Sequence, residues 1–264
     1  MTNVHDFARF KAEGRRISMV TAYDAWSARL VAQSDVDAVL VGDSAAMVMH
    51  GHSTTLPATV RLMALHTRAV ASAVGGKFLT VDLPFLSCRK GIPSAMAAVG
   101  ALMTGGAHAV KVEGVDGHEE VIRHIVESGV PVMGHIGLTP QSVNQLGGFR
   151  VQGRNDADAA TLVRQAHSLE ELGCFAIVLE CVPADLAAAI TSKLQLPTIG
   201  IGAGAGTDGQ VLVLQDLWGV DPRPSPRFVR RYIDGACVLT NALNRYHADV
   251  KEARFPGPPE SYSS

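Results

Sequence analysis

Eight short apolar runs alternate along the chain with longer segments whose apolar residues recur at helical spacing. Runs of this length that are apolar on both faces are typical of parallel strands, and the segments between them then form crossover helices. The predicted strands span 17–23, 37–44, 78–85, 107–114, 130–137, 174–183, 196–204 and 211–219, and the predicted helices span 24–34, 58–74, 93–104, 118–128, 156–172 and 184–194. Eight units predict an α/β fold that closes into a (β/α)8 TIM barrel, with an open doubly wound sheet as the main alternative.

The two ends of the chain carry elements outside this alternation. Residues 4–13 predict a short amphipathic helix before the first strand. Near the other end, Ser225 and Pro226 form a cap and first-turn pair that predicts the start of an outer helix. Its apolar positions follow alternating spacings of four and three, at Phe228, Tyr232, Ala236, Leu239, Leu243 and Tyr246. With residues 255–264 as an irregular tail, the prediction is a single domain over 1–264.

Polar residues stand where the predicted strands end. They are Asp43 and Ser44 after the second strand, Asp82 after the third, Lys111 and Glu113 on the fourth, His135 on the fifth and Glu180 on the sixth. The residues two and four positions earlier are small or apolar, as in Val39 and Val41, Phe78 and Thr80, and Ala176 and Val178. Since strand residues two apart share a face, we expect these polar groups inside the barrel at its catalytic end.

Each of these residues also has a purely structural interpretation. Asp43 could cap the next helix, Asp82 could form a turn, and Lys111 with Glu113 could be an ordinary salt bridge. Glu180 is the residue that structure explains least, because glutamate is not a favoured cap. A series of such groups on consecutive strands favours a functional site.

The residue types indicate the chemistry of that site. Asp43, Asp82 and Glu113 repel one another unless a cation lies among them, and oxygen ligands favour a hard ion such as Mg2+. A magnesium ion with open positions can chelate a 2-keto acid and acidify its adjacent C–H bond. Lys111 would then stabilise the developing enolate oxygen, and Glu180 would accept the proton.

Composition and charge exclude several other classes of protein. The chain has 264 residues and a formal net charge of -2, and no basic run suggests a nucleic-acid partner. Its apolar stretches are broken before the roughly 20 residues that a membrane span needs, and its first residues do not form a signal peptide. The cysteines show neither a CxxC pair nor zinc spacing, which favours reduced thiols in a cytoplasmic protein. They are Cys88, Cys174, Cys181 and Cys237.

The glycine run at 200–206 has a weak likeness to a dinucleotide-binding fingerprint. It comes after six βα units instead of opening the fold, so we interpret it as a place where backbone approaches a ligand closely. The loop 138–154, rich in Gly and Gln, is predicted to be a lid or a substrate wall.

Several longer motifs resemble one known family. They are VGDS (41–44), DLPF (82–85), VKVEG (110–114), VMGHIGLTPQS (132–142), GGFRVQGR (147–154), LECVP (179–183) and PTIGIGAGAGTDGQVLV (197–213). In this order they resemble the 3-methyl-2-oxobutanoate (ketopantoate) hydroxymethyltransferases, from about residue 17 to 256.

The resemblance implies a TIM barrel that transfers a hydroxymethyl group from 5,10-methylenetetrahydrofolate to 3-methyl-2-oxobutanoate, giving 2-dehydropantoate for pantothenate synthesis. It also implies one Mg2+ per subunit and a cytoplasmic homodecamer, with no membrane or nucleic-acid partner. By motif, the implied metal ligands are Asp43, Asp82 and Glu113, the implied oxo-acid contacts are Asp43, Ser44, Asp82 and Lys111, and the implied proton acceptor is Glu180. His135 lies in the matching HIGLTPQS stretch, which places it near the substrate.

Two other hypotheses follow from the same residues. A magnesium-dependent lyase or mutase of the isocitrate lyase and phosphoenolpyruvate mutase type would also use an acidic barrel end. Only Cys88 and Cys181 lie near strand ends, without the lyases' catalytic cysteine motif. A non-catalytic barrel is disfavoured, because the four acids Asp43, Asp82, Glu113 and Glu180 are all present.

Overall fold

The computed structural model of the chain describes residues 2–263. It divides into two compact units, the first ending at Leu212 and the second beginning at Val213. The barrel is complete within the first unit, and the assignment of 1–264 to a single domain stays a prediction. Within the described residues, no helix is both long enough and apolar enough to span a membrane.

Eight parallel strands form a closed barrel in sequence order, and β8 pairs with β1 to complete it. The prediction of a (β/α)8 barrel is therefore confirmed. The strands are β1 Ile17–Thr21, β2 Ala38–Val41, β3 Phe78–Asp82, β4 Ala109–Glu113, β5 Val132–Gly137, β6 Ala176–Glu180, β7 Thr198–Ile201 and β8 Gly209–Leu212.

Helices precede and connect these strands close to the predicted positions. In the first unit they are α1 Val4–Ala12, α2 Ala25–Ala32, α3 Ala45–Val48, α4 Val60–Ala71, α5 Ile92–Met103, α6 Glu119–Glu127, α7 Asp156–Glu171 and α8 Ala184–Lys193. The second unit contains α9 Leu214–Trp218 and α10 Gly235–Lys251. Short 3-10 turns lie at Ser87–Arg89, Pro140–Ser142 and Pro258–Glu260. Side-chain caps begin several helices, as at Asp24, Thr59 and Asn155, whose oxygens accept backbone N–H groups of the first turn.

Helix α1 closes the end of the barrel where the strands begin. The Phe7 ring packs edge-on against Phe78 at 5.3 Å and Phe175 at 5.2 Å between centroids. Lys11 Nζ holds the helix in place by donating to Asp208 Oδ2 at 3.0 Å and to the Thr191 carbonyl at 2.9 Å. Every strand contributes to the buried cluster above α1, through Ile17, Met19, Ala38, Leu40, Phe78, Ala109, Met133, Ala176, Val178, Ile199 and Val211.

The interior parity of the second strand was predicted wrongly. Ala38 and Leu40 join the interior cluster, so the alternating Val39 and Val41 face the helices instead. The next interior position is Gly42, where a Cβ would lie 2.8 Å from Ser44 Oγ. Asp43 therefore reaches the site from the turn after the strand. For the third and sixth strands, the interior positions Phe78, Ala176 and Val178 were predicted correctly.

The eighth strand is shorter than predicted and starts earlier. It spans Gly209–Leu212, and residues 214–218 form helix α9 instead of extended chain. Gly209 explains the early start, because a Cβ there would lie 2.5 Å from the Ile17 carbonyl oxygen. Only glycine allows β8 to approach β1 this closely at the seam.

The last helix begins later than the periodicity predicted. Helix α10 starts at Gly235, after Asp234 caps it by accepting from the Cys237 N–H, so Ser225 and Pro226 do not begin it. Phe228 and Tyr232 precede the helix and belong to an irregular segment. A Cβ at Gly235 would lie 2.5 Å from the Trp218 carbonyl oxygen, so packing within the second unit sets the helix start. Residues 255–263 are irregular apart from the turn Pro258–Glu260.

Candidate active site

Lys111 lies at the centre of a buried polar cluster where β2 to β6 end. Its Nζ is 2.9 Å from Asp82 Oδ1 and 3.0 Å from His135 Nδ1, and its side chain is only 4% exposed. Burial lowers the pKa of Lys111, but the nearby carboxylates of Asp82, Glu113 and Asp43 raise it by more. The net pKa is therefore above the ordinary value, and the ammonium form is retained. Alternate residues of a strand share one face, so positions 109, 111 and 113 of β4 all point into the barrel. This places Lys111 and Glu113 together in the cluster.

His135 connects the lysine to the proposed base. Its Nδ1 lies 3.6 Å from Glu113 Oε1, and its Nε2 lies 3.2 Å from Glu180 Oε2. Because an ammonium group only donates, a neutral ring accepts from Lys111 at Nδ1 and carries its proton at Nε2, facing Glu180. Burial and the Lys111 charge lower the pKa of His135, but Glu113 and Glu180 raise it to about 9. A pKa of about 9 makes the protonated ring the main state at neutral pH, and its Nδ1–H then faces Glu113 instead of accepting from Lys111.

Asp43 and Ser44 approach the cluster from the turn after β2. The Asp43 N–H donates to Asp82 Oδ2 at 3.0 Å, and Gln141 Nε2 donates to Asp43 Oδ2 at 2.8 Å. Burial raises the pKa of the Asp43 carboxyl well above its ordinary value, and Glu113 and Asp82 raise it further. Ser44 Oγ lies 2.8 Å from the Tyr23 hydroxyl.

Glu180 ends β6 with its side chain 17% exposed, which makes it accessible to a substrate. Gly137 at the end of β5 holds its backbone in place. A Cβ on Gly137 would lie 2.3 Å from the Glu180 carbonyl oxygen, and this oxygen accepts the Leu138 N–H at 2.8 Å. The proposed base is thus positioned by backbone contact between neighbouring strands.

The acids match a hard divalent cation in donor type and in charge. Asp43 and Asp82 are buried, the Glu113 side chain is only 5% exposed, and Glu113 Oε1 has no hydrogen-bond donor in the described structure. Burial raises the pKa of Asp82 despite its ion pair with Lys111. Between residues 2 and 263, no three His, Cys, Asp or Glu side chains are already spaced as a metal-binding cluster. Asp82 Oδ1 is instead paired with Lys111, and Asp43 Oδ2 with Gln141.

Two polar residues near this cluster were not predicted from the sequence. Gln141 lies in the HIGLTPQS motif, but it carries no charge and stands four residues beyond β5. Tyr23 lies after β1, a strand without an ionisable group at its end. The HIGLTPQS motif and the end of the first strand were visible in the sequence, but nothing there indicated that Gln141 and Tyr23 contact Asp43 and Ser44.

The glycine run at 200–206 packs against a helix. A Cβ on Gly204 would lie 2.5 Å from Ala184 Cβ, and one on Gly206 would lie 2.6 Å from Ala188 Cβ. These glycines let the loop after β7 approach α8, and the interpretation that the run approaches a ligand stays a prediction.

A cavity of about 700 Å3 opens beside the buried cluster. The loops after β3, β4 and β5 line it together with the first half of α7, and Gly114 and Gly137 form its border with the cluster. Phe85 and Leu86 form an apolar part of its wall and are 40% and 42% exposed. Leu86 has a φ of 61°, a strained conformation for a non-glycine residue that is typical of functional sites. The loop 138–154 contributes several wall residues, and its role as a lid or a substrate wall stays a prediction.

The fold and the buried acid–lysine cluster together define a TIM-barrel protein with an enzyme-like site at the ends of its strands. Solved structures with this fold include a phosphonopyruvate hydrolase in complex with oxalate and Mg2+, with TM-score 0.63, 14% identity, and coverage of 98% of this chain and 93% of that one. Another is 2,3-dimethylmalate lyase, a member of the PEP mutase/isocitrate lyase superfamily, with TM-score 0.63, 14% identity, and coverage of 100% and 92%.

Sequence comparison identifies the family. The model of the ketopantoate hydroxymethyltransferase family matches residues 1–258. A 3-methyl-2-oxobutanoate hydroxymethyltransferase of Bdellovibrio bacteriovorus is 54% identical over 263 residues, covering 100% of both chains. One from Coxiella burnetii is 51% identical over 255 residues, covering 96% of each. The chain therefore belongs to the ketopantoate hydroxymethyltransferase family.

Proposed function

We propose that this chain transfers a hydroxymethyl group from 5,10-methylenetetrahydrofolate to 3-methyl-2-oxobutanoate and forms 2-dehydropantoate. The observation that carries the proposal is the chain of contacts from Asp82 through Lys111 and His135 to Glu180. It holds a cation beside a partly accessible carboxylate, which is the arrangement that removal of a proton next to a carbonyl requires. Family membership and 54% identity to a curated relative of that name support the same reaction.

The oxo acid binds between the acids and Lys111 in this proposal. Lys111 Nζ faces the oxygen on which negative charge develops, and the Ser44 hydroxyl, held by Tyr23, is a donor for the substrate carboxylate. Because both donors are held by buried partners, they need little reorganisation when charge develops.

Asp43, Asp82 and Glu113 would hold Mg2+ in the proposed enzyme. When bound, the ion polarises the carbonyl and makes the neighbouring C–H bond more acidic. The oxygen-only donor set, and Glu113 Oε1, which accepts no hydrogen bond in the described structure, support a hard cation at this place.

Glu180 accepts the proton from C3 of the oxo acid. The electron pair of that C–H bond forms the new C–C bond to the one-carbon unit, and both bonds from that carbon to the folate nitrogens N5 and N10 break. Water supplies the hydroxyl group, and the proton from C3 together with the second proton of the water protonates the two nitrogens of the tetrahydrofolate product. His135 orients Glu180 through the contact between Nε2 and Oε2 at 3.2 Å. A role of His135 in contacting the substrate stays a prediction.

The cavity beside the cluster offers space for a second substrate. Its volume of about 700 Å3 falls within the range of ligand pockets, roughly 300–1,000 Å3. Its apolar wall at Phe85 and Leu86 suits an aromatic ring system, which supports a folate co-substrate. The cytoplasmic location and the homodecamer are proposed on the family resemblance alone.

The decisive experiment measures product formation by Glu180→Gln with metal and both substrates present. We expect kcat to fall by a factor of about 100 to 10,000, the usual contribution of a positioned general base. Asp185→Asn, a change of acid to amide five residues along the chain, at the start of α8, is the matched control and should retain activity.

Two outcomes would contradict the proposal. Near wild-type turnover by the Glu180→Gln variant would show that Glu180 is not the base. Cleavage of an oxo acid without folate would favour a lyase of the isocitrate lyase and phosphoenolpyruvate mutase type. The thiols give that alternative little support, because burial raises the pKa of Cys88 and of Cys181 to about 11.

A further inference from the structure

Gln141 joins two of the buried acids through donors on both its backbone and its side chain. Its N–H donates to Glu113 Oε2 at 2.9 Å, and its Nε2 donates to Asp43 Oδ2 at 2.8 Å. The same Nε2 donates to the Leu83 carbonyl at 2.9 Å. One residue on the turn after β5 thus contacts acids that arrive from β2 and from β4.

The geometry of the amide orients one of these carboxylates. Both hydrogens on Nε2 are used, one by Asp43 and one by the Leu83 carbonyl, so the amide plane is held between two fixed acceptors. With Oδ2 occupied by this donor, the Asp43 carboxylate cannot rotate freely about its last side-chain bond.

The backbone donor of Gln141 acts in the same way on the second acid. Glu113 Oε2 accepts the N–H of Gln141, while Glu113 Oε1 accepts no hydrogen bond in the described part of the chain and lies 3.6 Å from His135 Nδ1. A buried carboxylate oxygen without a donor is costly unless another positive group satisfies it. The contact therefore leaves Oε1 as the atom available to a cation.

We propose that Gln141 is a positioning residue for the divalent cation, which sets the orientation of Asp43 and Glu113 without contacting the ion itself. The inference rests on the proposed metal site. Residues that hydrogen-bond to metal ligands typically change metal affinity by about 10- to 100-fold when they are replaced.

The test is a titration with Mn2+, followed by the EPR signal of the free ion, on the substrate-free protein. Gln141→Met keeps the length of the side chain and removes both N–H groups of the amide, while the backbone N–H to Glu113 stays. Its Kd for Mn2+ should therefore rise about 10- to 100-fold through the loss of the contact with Asp43. Gln145→Met is the matched control, since Gln145 follows on the same loop and forms no hydrogen bond within residues 2–263. Its Kd for Mn2+ should stay within about twofold of the wild-type value.

Kinetics then distinguish positioning from a general loss of structure. The metal concentration for half-maximal activity should rise in Gln141→Met with the Kd, while kcat at saturating metal stays within about threefold of wild type. If Gln141→Met does not fold, Gln141→Asn replaces it, because it keeps an amide but shortens its reach by one methylene. This variant should also bind Mn2+ more weakly.

Each result separates this inference from the proposed function. Unchanged Mn2+ affinity in a folded Gln141 variant, beside a wild-type protein that binds Mn2+, overturns the role of Gln141 only. A wild-type protein that binds no Mn2+ overturns the proposed metal site and this inference with it. Equal weakening by the Gln145 and Gln141 variants shows an effect of the loop and likewise overturns the inference.

Discussion

Lys111 is a buried cation whose charge balances part of a larger negative charge. Its ammonium group is paired with Asp82 at 2.9 Å, and the Asp43 and Glu113 carboxylates raise its pKa from nearby. Burying an ammonium group costs free energy unless nearby carboxylates compensate for the lost hydration. Removing either Lys111 or its carboxylate partner therefore leaves a buried charge without a partner, which destabilises the fold. The same residue that would stabilise an enolate oxygen therefore also stabilises the folded chain.

Replacing Lys111 with Met tests both roles at once. Turnover should be lost, and the free energy of unfolding at pH 7 should fall by about 3–5 kcal/mol, the usual effect of breaking a buried ion pair. Lys90→Met is the control, because Lys90 is exposed and forms no ion pair within residues 2–263. Urea unfolding followed by circular dichroism gives the free energy of unfolding of both variants, and an assay of product formation gives their turnover.

The stability of the Lys111→Met variant should also depend on pH with a definite sign. Without the ammonium group, Asp82 and Asp43 have a still higher pKa when folded and take up protons, but they release them on unfolding. The unfolded state then binds fewer protons, so stability falls as pH rises above about 4 and the loss is larger at pH 7 than at pH 5. The difference is at most about 1.4 kcal/mol per pH unit for each proton. A loss that is independent of pH would show that the carboxylates do not respond to Lys111.

At the scale of the elements, the end of β5 controls the position of the proposed base on β6. Gly137 has a φ of +94°, and a Cβ there would lie 2.3 Å from the Glu180 carbonyl oxygen. Gly129 has a similar φ of +85°, but no heavy atom lies within 4 Å of a Cβ added there. Alanine variants at these two glycines therefore distinguish the effect of a strained backbone, present at both, from the effect of a steric contact, present only at Gly137.

Gly137→Ala should lose both stability and turnover. Strain alone costs about 1–3 kcal/mol, and this is all that Gly129→Ala should show in urea unfolding. The additional contact in Gly137→Ala forces β5 and β6 apart, so its loss should exceed that of Gly129→Ala. Its kcat should fall at least tenfold, because small displacements of a catalytic group have large effects. Equal effects of both variants on kcat would contradict a positioning role for this strand end.

The order of the elements and the identity of the charged residues could be predicted from the chain because both depend on local pattern. The alternation of apolar runs predicted the barrel, and strand parity brought Asp82, Lys111 and Glu180 to one face. Asp43 was assigned correctly to the cluster, but the face of β2 that points into the barrel was predicted wrongly. Gly42 takes the interior position after Leu40, so Asp43 enters the cluster from the turn and not from the strand.

Other features depend on contacts between residues that are distant in the chain. Gln141 is uncharged, and its importance comes from reaching a carboxylate 98 positions away in sequence. The start of α10 depends on the approach of Gly235 to the Trp218 carbonyl, which no spacing of apolar residues reveals. Such contacts are visible only once the chain is folded.

At the scale of the whole barrel unit, stability and chemistry lie at opposite ends of the strands. Helix α1 fills the end where the strands begin, with the Phe7 ring fully buried between Phe78 and Phe175. The acids and Lys111 lie where β2 to β4 end. Barrels of this kind separate a stabilising face from a catalytic face. A change at α1 should therefore lower the stability of the fold without changing catalysis.

Phe7→Ala tests this separation directly. Removing the ring leaves a cavity in the packed cluster above α1 and should lower the free energy of unfolding by about 3–5 kcal/mol. His5→Ala, an exposed change on the same helix, should alter it by less than about 0.5 kcal/mol. At a temperature where the Phe7→Ala variant is still folded, its kcat and its Kd for Mn2+ should match the wild-type values within about twofold. A lower kcat in the folded variant would instead show that packing at α1 is transmitted along the strands to Lys111 and Glu180, and the two faces would then not be independent.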